Sequence, residues 1–225
     1  MSNLYNKALV GLLLLFFAMA ALLFVPPWTF DYWQAWIFLA VYFAASIAIS
    51  LYLIKGDPQL LARRMSGGPA AEKRPAQKII MSLTSLGFIG LLVVPALDRR
   101  FAWSHLPAGV ALAGDALVVL GWVGIFFVFR ENSFASATIE LAPDQKVIST
   151  GPYALVRHPM YAAALVMLLG MPIALGSMWG VLVIVAIMPA LIWRLLDEEK
   201  FLVKNLPGYP EYQARVQYRL IPRVW

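Results

Sequence analysis

Two short polar stretches interrupt a chain that is otherwise mostly apolar. Arg157-His158-Pro159 comes directly before a long apolar run, and Asp197-Glu198-Glu199 comes directly after it. Pro159 suits the first turn of a helix, so Arg157 and His158 lie at a helix N-terminus, where free backbone N–H groups attract carboxylates and phosphates. Cations at one end of the run and carboxylates at the other would together suit a zwitterionic ligand.

Each stretch also has an ordinary explanation. A basic flank is common beside a membrane helix, and acidic residues at a helix end are often simply solvated. Carboxylates are nevertheless disfavoured at a helix C-terminus by the helix dipole. We therefore expect the second helix to continue past Glu199, or its acids to have basic partners, or both.

The elements that carry these stretches are predicted to be membrane helices. The 225 residues are 61% hydrophobic and only 13% charged, whereas soluble domains are about half apolar and about a quarter charged. Such a composition cannot cover a water-facing surface. Four stretches are apolar enough and long enough to span a bilayer: 8–25, 35–54, 79–97 and 108–129.

A fifth apolar region, 161–196, has 36 positions. As a single helix it would be about 54 Å long, which exceeds a hydrocarbon core of about 30 Å. Pro172 and Gly176 supply a break, so we predict a helical hairpin whose first limb, about 161–175, is short. The expected fold is an all-α integral membrane protein, a helical bundle of about six transmembrane segments with the hairpin last.

The distribution of basic residues predicts the orientation. With six crossings, all of the 18 Lys and Arg residues except Arg99 and Arg100 fall on one side of the membrane. Because cytoplasmic loops are enriched in Lys and Arg, this side is expected to be the cytoplasm. The loop 55–78, both termini and the two polar stretches would then be cytoplasmic. The net charge of +6 is explained in the same way, without nucleic acid.

Several kinds of site are not expected. The chain has no Cys, which excludes disulfides, thiolate catalysis and Cys-ligated metals. It has two His and no HExxH motif, so no metal site is predicted. No strand precedes a GxGxxG and no GxxxxGK[ST] occurs, so no conventional nucleotide-binding fold is predicted. Asp115 is the one acid well inside a predicted span, and it is either functional or bonded to a neighbouring helix.

Four segments in the second part of the chain resemble the isoprenylcysteine carboxyl methyltransferase family and the related membrane phospholipid methyltransferases. They are KVISTGPYALVRHPMY, DEEKFL, GYPEYQARV and RLIPRVW, in this order. The resemblance covers about residues 130–225. It implies that S-adenosylmethionine binds without a Rossmann domain, at the cytoplasmic membrane face, together with a hydrophobic or lipid-like methyl acceptor.

The resemblance also implies a set of site residues. Cofactor contacts are expected at Gln145, Lys146, Val147, Ile148, Tyr153, Arg157, His158, Pro159, Met160, Tyr161 and Glu199. Catalytic roles are expected for Arg194 and Glu198. The chain would then divide into a transmembrane region, 1–129, and a methyltransferase-like region, 130–225. The second region would comprise a cofactor loop (130–160), the hairpin (161–196) and a cytoplasmic segment (197–225).

The acceptor stays open, although carboxyl O-methylation is favoured. Carboxyl-methylating members carry an Arg where this chain has Leu195, and Arg194 lies one position earlier, about 100° round a helix. A prenylated thioether acid, an aminophospholipid and a small hydrophobic metabolite all remain possible. The phospholipid N-methyltransferases are thus an alternative within the same enzyme class.

Two further alternatives lie outside the methyltransferases. NADPH-dependent steroid and sterol reductases share a similar segment, but they have a Glu at the position of Ala164. A non-enzymatic membrane protein that binds lipid or acts as a scaffold would bind no cofactor. It would also tolerate substitution of His158 and Glu199.

Overall fold

The computed structural model describes residues 2–225, with their side chains from residue 4 onwards. This part of the chain is all-helical and contains no strand, as predicted. The α-helices are α1 (Ser2–Phe24), α2 (Trp33–Gly56), α3 (Pro58–Met65), α4 (Pro75–Phe101), α5 (Ala108–Glu131), α6 (Pro159–Ala174), α7 (Trp179–Asn205) and α8 (Tyr209–Arg215). A single 3₁₀ turn, Gly151–Ala154, interrupts the long connection between α5 and α6.

Five of these helices, α1, α2, α4, α5 and α7, are long and apolar enough to cross a membrane. Helix α6 has only 16 residues, so it is about 24 Å long and shorter than a hydrocarbon core of about 30 Å. The turn from α6 to α7 contains Gly176 with a φ of +75°, a conformation that glycine adopts without steric cost. The protein is therefore a multi-pass membrane bundle that includes the predicted hairpin.

Helices α5 and α6 form the closest pair, because glycines remove side chains from their interface. A Cβ atom at Gly114 would overlap the backbone of Ala174, and one at Gly121 would lie 2.7 Å from the backbone nitrogen of Met167. Small residues allow such close approach between membrane helices, where packing replaces the hydrophobic effect. Around this pair, α2 packs on α5, α7 packs along α4, and α1 contacts both α2 and α4.

A buried polar network holds the hairpin turn at the end of the bundle away from the polar stretches. Asp98 is 2% exposed, and its carboxylate accepts hydrogen bonds from the backbone nitrogen of Ser104 at 2.6 Å and from the Ser177 hydroxyl. The Tyr32 hydroxyl donates to the carbonyl of Leu175 at 2.6 Å. These bonds join the start of α2, the end of α4 and the α6–α7 turn, so the C-terminal end of α6 is held in place.

The glycine interface makes a direct prediction about stability. Gly114→Ala should lower the thermal midpoint of the detergent-solubilised protein, because overpacking a tight contact costs about 1–3 kcal/mol. Gly109→Ala, on the same helix, meets no atom within 4 Å and should change stability by less than about 1 kcal/mol. Fluorescence-detected gel filtration after heating measures the thermal midpoint of each variant. Equal midpoints for the two variants would contradict the close packing.

Candidate active site

A cavity of about 820 Å³ lies inside the bundle, within the usual range of about 300–1,000 Å³ for ligand pockets. Each helix contributes residues from the half that lies next to the loops 55–78 and 130–160. The apolar chamber of this cavity is lined by residues that include Ala8, Leu12, Leu15, Tyr42, Ile49, Leu53, Met81, Phe88, Trp122 and Ile125. Its polar mouth is formed by the α5–α6 connection, the start of α6 and the end of α7.

The structure brings the residues predicted for the site together around this cavity. All of the predicted cofactor and catalytic residues line it except Glu199. Helix α7 also continues past the acids to Asn205, and Asp197 and Glu199 have basic partners, so both parts of that expectation are confirmed for these two acids; Glu198 accepts from a tyrosine instead. Glu199 lies behind the cavity wall, where it is 4% exposed.

Glu199 is the centre of a buried ion cluster. Its carboxylate accepts from Arg157 Nε at 2.7 Å and from Arg219 Nε at 2.8 Å. His158 Nε2 lies 3.3 Å from the same carboxylate, without the alignment of a hydrogen bond. Two cations at hydrogen-bond distance compensate the buried negative charge, which would otherwise be costly.

The same cluster attaches the C-terminal tail to the start of α6. Arg157 Nη1 donates to the carbonyls of Val216 and Gln217, each at 2.8 Å. The backbone nitrogens of Arg157 and His158 donate to the carbonyls of Tyr218 and Arg219, each at 2.9 Å. Arg157 is therefore largely occupied within the protein, and its charge is compensated by Glu199 rather than directed at a ligand.

Three buried polar atoms of residues that line the cavity have no hydrogen-bond partner among the described residues. They are Trp122 Nε1, His158 Nε2 and the hydroxyl oxygen of Tyr209. Trp122 belongs to the apolar chamber, and His158 Nε2 faces the Glu199 carboxylate at 3.3 Å. Burial raises the pKa of Tyr209 well above its ordinary value, so this hydroxyl keeps its proton and can donate. Because buried polar atoms are rarely left unpaired in a native protein, the Tyr209 hydroxyl points to a polar ligand in this part of the cavity.

An apolar and aromatic patch lies next to these atoms. Leu206, Tyr209 and Tyr212 pack together, with Val147 and Tyr153 against them. The Tyr212 hydroxyl donates to the carbonyl of Tyr153 at 2.8 Å, and burial raises the pKa of Tyr153 to about 12. Flat apolar walls therefore lie beside the unpaired Tyr209 hydroxyl at this end of the cavity.

The end of α7 holds a second polar group at the cavity. Arg194 Nη1 donates to Glu72 at 2.9 Å and to Gln77 at 2.7 Å, and Arg194 Nη2 donates to the carbonyl of Ala137 at 2.9 Å. The Tyr161 hydroxyl donates to Glu198 at 2.7 Å. Arg194 therefore lines this cavity, whereas Leu195, which stands at the position of the arginine in carboxyl-methylating members, is buried outside it.

Several residues of this site were not predicted from the sequence. Arg64 and Glu72 belong to the basic loop 55–78, where charge indicates only membrane orientation. Arg219 and Tyr209 fall in two segments of the family resemblance, but spacing alone did not connect them with Glu199 or the cavity. Asp115 is buried and makes no hydrogen bond to any described residue, so the expected bond to a neighbouring helix is absent.

Comparison with known proteins identifies the region that carries the site. The model of the phospholipid methyltransferase family matches residues 110–207. Residues 110–207 form a domain of the phospholipid methyltransferase family. The isoprenylcysteine carboxyl methyltransferases are related to this family, so the resemblance in the sequence is confirmed. The domain includes α5, α6, α7 and most of the polar mouth.

Two curated proteins are similar to this chain. One is the cobalt-zinc-cadmium resistance protein CzcN of Cupriavidus metallidurans, 30% identical over 44% of this chain and 46% of the relative. The other is the nickel-cobalt-cadmium resistance protein NccN of Alcaligenes xylosoxydans xylosoxydans, 27% identical over 44% of this chain and 47% of the relative. The match spans about half the length of each relative. The described residues contain no group of three or more His, Cys, Asp or Glu that could hold a metal ion.

The ion cluster predicts unequal roles for the two neighbouring glutamates. Glu199→Gln should lower the thermal midpoint strongly, because breaking a buried ion pair costs about 3–5 kcal/mol. Glu198→Gln removes a charge one position away but leaves the Arg157 and Arg219 pairs intact, so its midpoint should stay near that of the wild type. The thermal midpoints of the two variants and the wild type are measured by thermal unfolding in detergent. A larger loss for Glu198→Gln would contradict the arrangement.

Proposed function

We propose that this protein is an S-adenosylmethionine-dependent methyltransferase that acts on a hydrophobic or lipid-like acceptor, with an activity similar to that of the isoprenylcysteine carboxyl O-methyltransferases. The observation that carries the proposal is the single cavity, which joins a polar mouth inside the family domain to an apolar chamber between membrane helices. A cavity with two such parts allows a water-soluble cofactor and a membrane-soluble acceptor to meet.

The polar mouth is proposed to bind the cofactor. S-adenosylmethionine supplies an electrophilic methyl group on a sulfonium. Tyr209 would offer its unpaired buried hydroxyl to the polar end of the cofactor, with His158 beside it, and the stretch 145–148 with Tyr153 would hold its apolar ring. Arg157 and Glu199 would keep His158 in place, and Pro159, Met160 and Tyr161 form the adjoining wall.

The remaining groups would align the acceptor. Methyl transfer is an in-line displacement, so positioning and exclusion of water matter more than acid–base chemistry. Arg194 would hold Glu72 and the carbonyl of Ala137 at the cavity wall. A carboxylate acceptor needs no proton transfer, whereas an ammonium acceptor must first lose a proton.

Phospholipid N-methylation is a second candidate, supported by the family that matches residues 110–207. Glu198 lines the cavity, and its only hydrogen bond among the described residues comes from the Tyr161 hydroxyl. A carboxylate at this place can accept the proton that an amine must lose. The same residue would be dispensable for methylation of a carboxylate, so Glu198→Gln separates the two reactions.

The site is proposed to face the cytoplasm, together with both termini. The support is the bias of Lys and Arg toward the loops that surround the polar mouth. The proposed partners are S-adenosylmethionine, the hydrophobic acceptor and membrane lipids, with no nucleic acid. The relatives named for metal resistance do not change this proposal, which depends on the family match and the cavity.

Calorimetric titration of the purified protein with S-adenosylhomocysteine and, separately, with NADPH tests the proposal. S-adenosylhomocysteine should bind and NADPH should not. His158→Ala should weaken the binding at least about tenfold, the loss expected for a hydrogen bond to a charged group. His105→Ala, in an exposed turn, should bind as the wild type does. Binding of NADPH alone would instead indicate a membrane reductase.

A further inference from the structure

One arginine beside the cavity lacks a counter-ion. Arg64 lines the cavity, and its guanidinium has no carboxylate within 4 Å among residues 4–225. The other cavity arginines, Arg157 and Arg194, have carboxylates at 2.7 Å and 2.9 Å. Lys146 also lines the cavity, but it is exposed and therefore hydrated. Arg64 is half-buried; a cation that is partly removed from water without an anion is costly, and in membrane proteins it commonly marks a ligand site.

The contacts of Arg64 do not neutralise its charge. Its Nη1 donates to the carbonyl of Ser136 at 2.7 Å, and its guanidinium carbon lies 5.3 Å from the centre of the Phe129 ring. Burial lowers the pKa of Arg64, which reflects the cost of holding the charge away from water. An arginine nevertheless stays protonated in a protein. The carbonyl and the ring leave donors of the guanidinium available to an anion.

The local structure holds Arg64 in a fixed position. Helix α3 starts with Pro58, and Asp57 caps it by accepting from the backbone nitrogen of Leu60 at 2.9 Å. Leu60 and Leu61 are buried, and α3 packs against α2 and α1. The neighbouring residue, Arg63, donates to the carbonyl of Ser133 and does not line the cavity. Both arginines therefore attach α3 to the α5–α6 connection, but only Arg64 faces the ligand space.

Arg64 lies at the border between the two parts of the cavity. Its helix contacts α1 and α2, which form the apolar chamber, and its guanidinium donates to the carbonyl of Ser136 in the α5–α6 connection, which forms part of the polar mouth. An amphiphile with its chain in the chamber would place its polar head beside this guanidinium.

We propose that Arg64 binds an anionic group, a carboxylate or a phosphate, on the hydrophobic acceptor of the methyltransferase function proposed above. The planar guanidinium can hold either group through two parallel hydrogen bonds. The acceptor is then an acidic amphiphile, and Arg64 determines this specificity from a part of the chain outside the family domain.

Binding of amphiphilic probes in a nonionic detergent, without cofactor, tests this proposal. The probes share a farnesyl chain and differ in the head: S-farnesylthioacetate, farnesyl phosphate and neutral farnesol. The wild type should bind at least one anionic probe at least about tenfold more tightly than farnesol, the factor expected for a charge-assisted hydrogen bond. The preferred anionic head distinguishes a carboxylate from a phosphate acceptor.

Three variants show whether Arg64 is responsible. In Arg64→Gln the affinity for the anionic probe should fall to the affinity for farnesol. Arg64→Lys should keep part of the preference for the anionic probe, because it keeps the charge. Arg63→Gln, which loses the equivalent bond to the same connection, should bind all three probes as the wild type does. No preference in the wild type, or an equal loss in Arg63→Gln, would overturn the proposal.

Titration of the same variants with S-adenosylhomocysteine separates this inference from the proposed function. Equal cofactor affinity in the wild type and Arg64→Gln supports an acceptor role. A loss of cofactor affinity with an unchanged anionic preference would assign Arg64 to the cofactor and overturn the inference. If neither the wild type nor any variant binds S-adenosylhomocysteine, but the preference for an anionic probe still depends on Arg64, the methyltransferase function is overturned and the anion site remains.

Discussion

The polar half of this membrane protein depends on one buried carboxylate. Glu199 brings Arg157 from the start of α6 and Arg219 from the C-terminal tail to hydrogen-bond distance, with His158 beside them. Each cation would be costly beside a membrane interior without this partner. Because the three groups come from α6, α7 and the tail, the ion cluster assembles the site wall as well as neutralising it. The proposed ligand contacts of His158 depend on that assembly.

Arginine side chains also hold the connection between α5 and α6, through hydrogen bonds to its backbone carbonyls. Arg63, Arg64 and Arg194 donate to carbonyls of Ser133, Ser136 and Ala137, which have no strand or helix partner. The arginines provide these bonds, so a long irregular connection can form one wall of the cavity.

The two sides of the cavity differ in how closely their helices pack. The glycines of α5 bring its backbone against α6, and the network around Asp98 holds the far end of the hairpin. On the opposite side, α1 packs mainly against α2 and α4, and most of its surface is exposed. The proposed cofactor site lies against the closely packed pair, and the proposed acceptor chamber lies near α1.

The sequence determined the helical elements and the family resemblance of residues 110–207, and nearly all of the residues that it predicted for the site line one cavity. Hydropathy and length are properties of each segment, so the spans and the hairpin were readable without tertiary contacts. The RHP and DEE stretches occur at helix ends that face the same side, which made their proximity predictable. The division between transmembrane and methyltransferase-like regions stays a prediction, as does the role of each site residue.

Only the tertiary structure decided which charges neutralise one another. Sequence spacing cannot show that Arg219, twenty residues beyond Glu199, returns to pair with it. Nor can it show that Arg194 is neutralised by Glu72 while Arg64 is left without a carboxylate. Ion pairs depend on distances of a few ångströms between segments that are far apart in the chain. Those distances follow from helix packing, and they determine which cations remain available to a ligand.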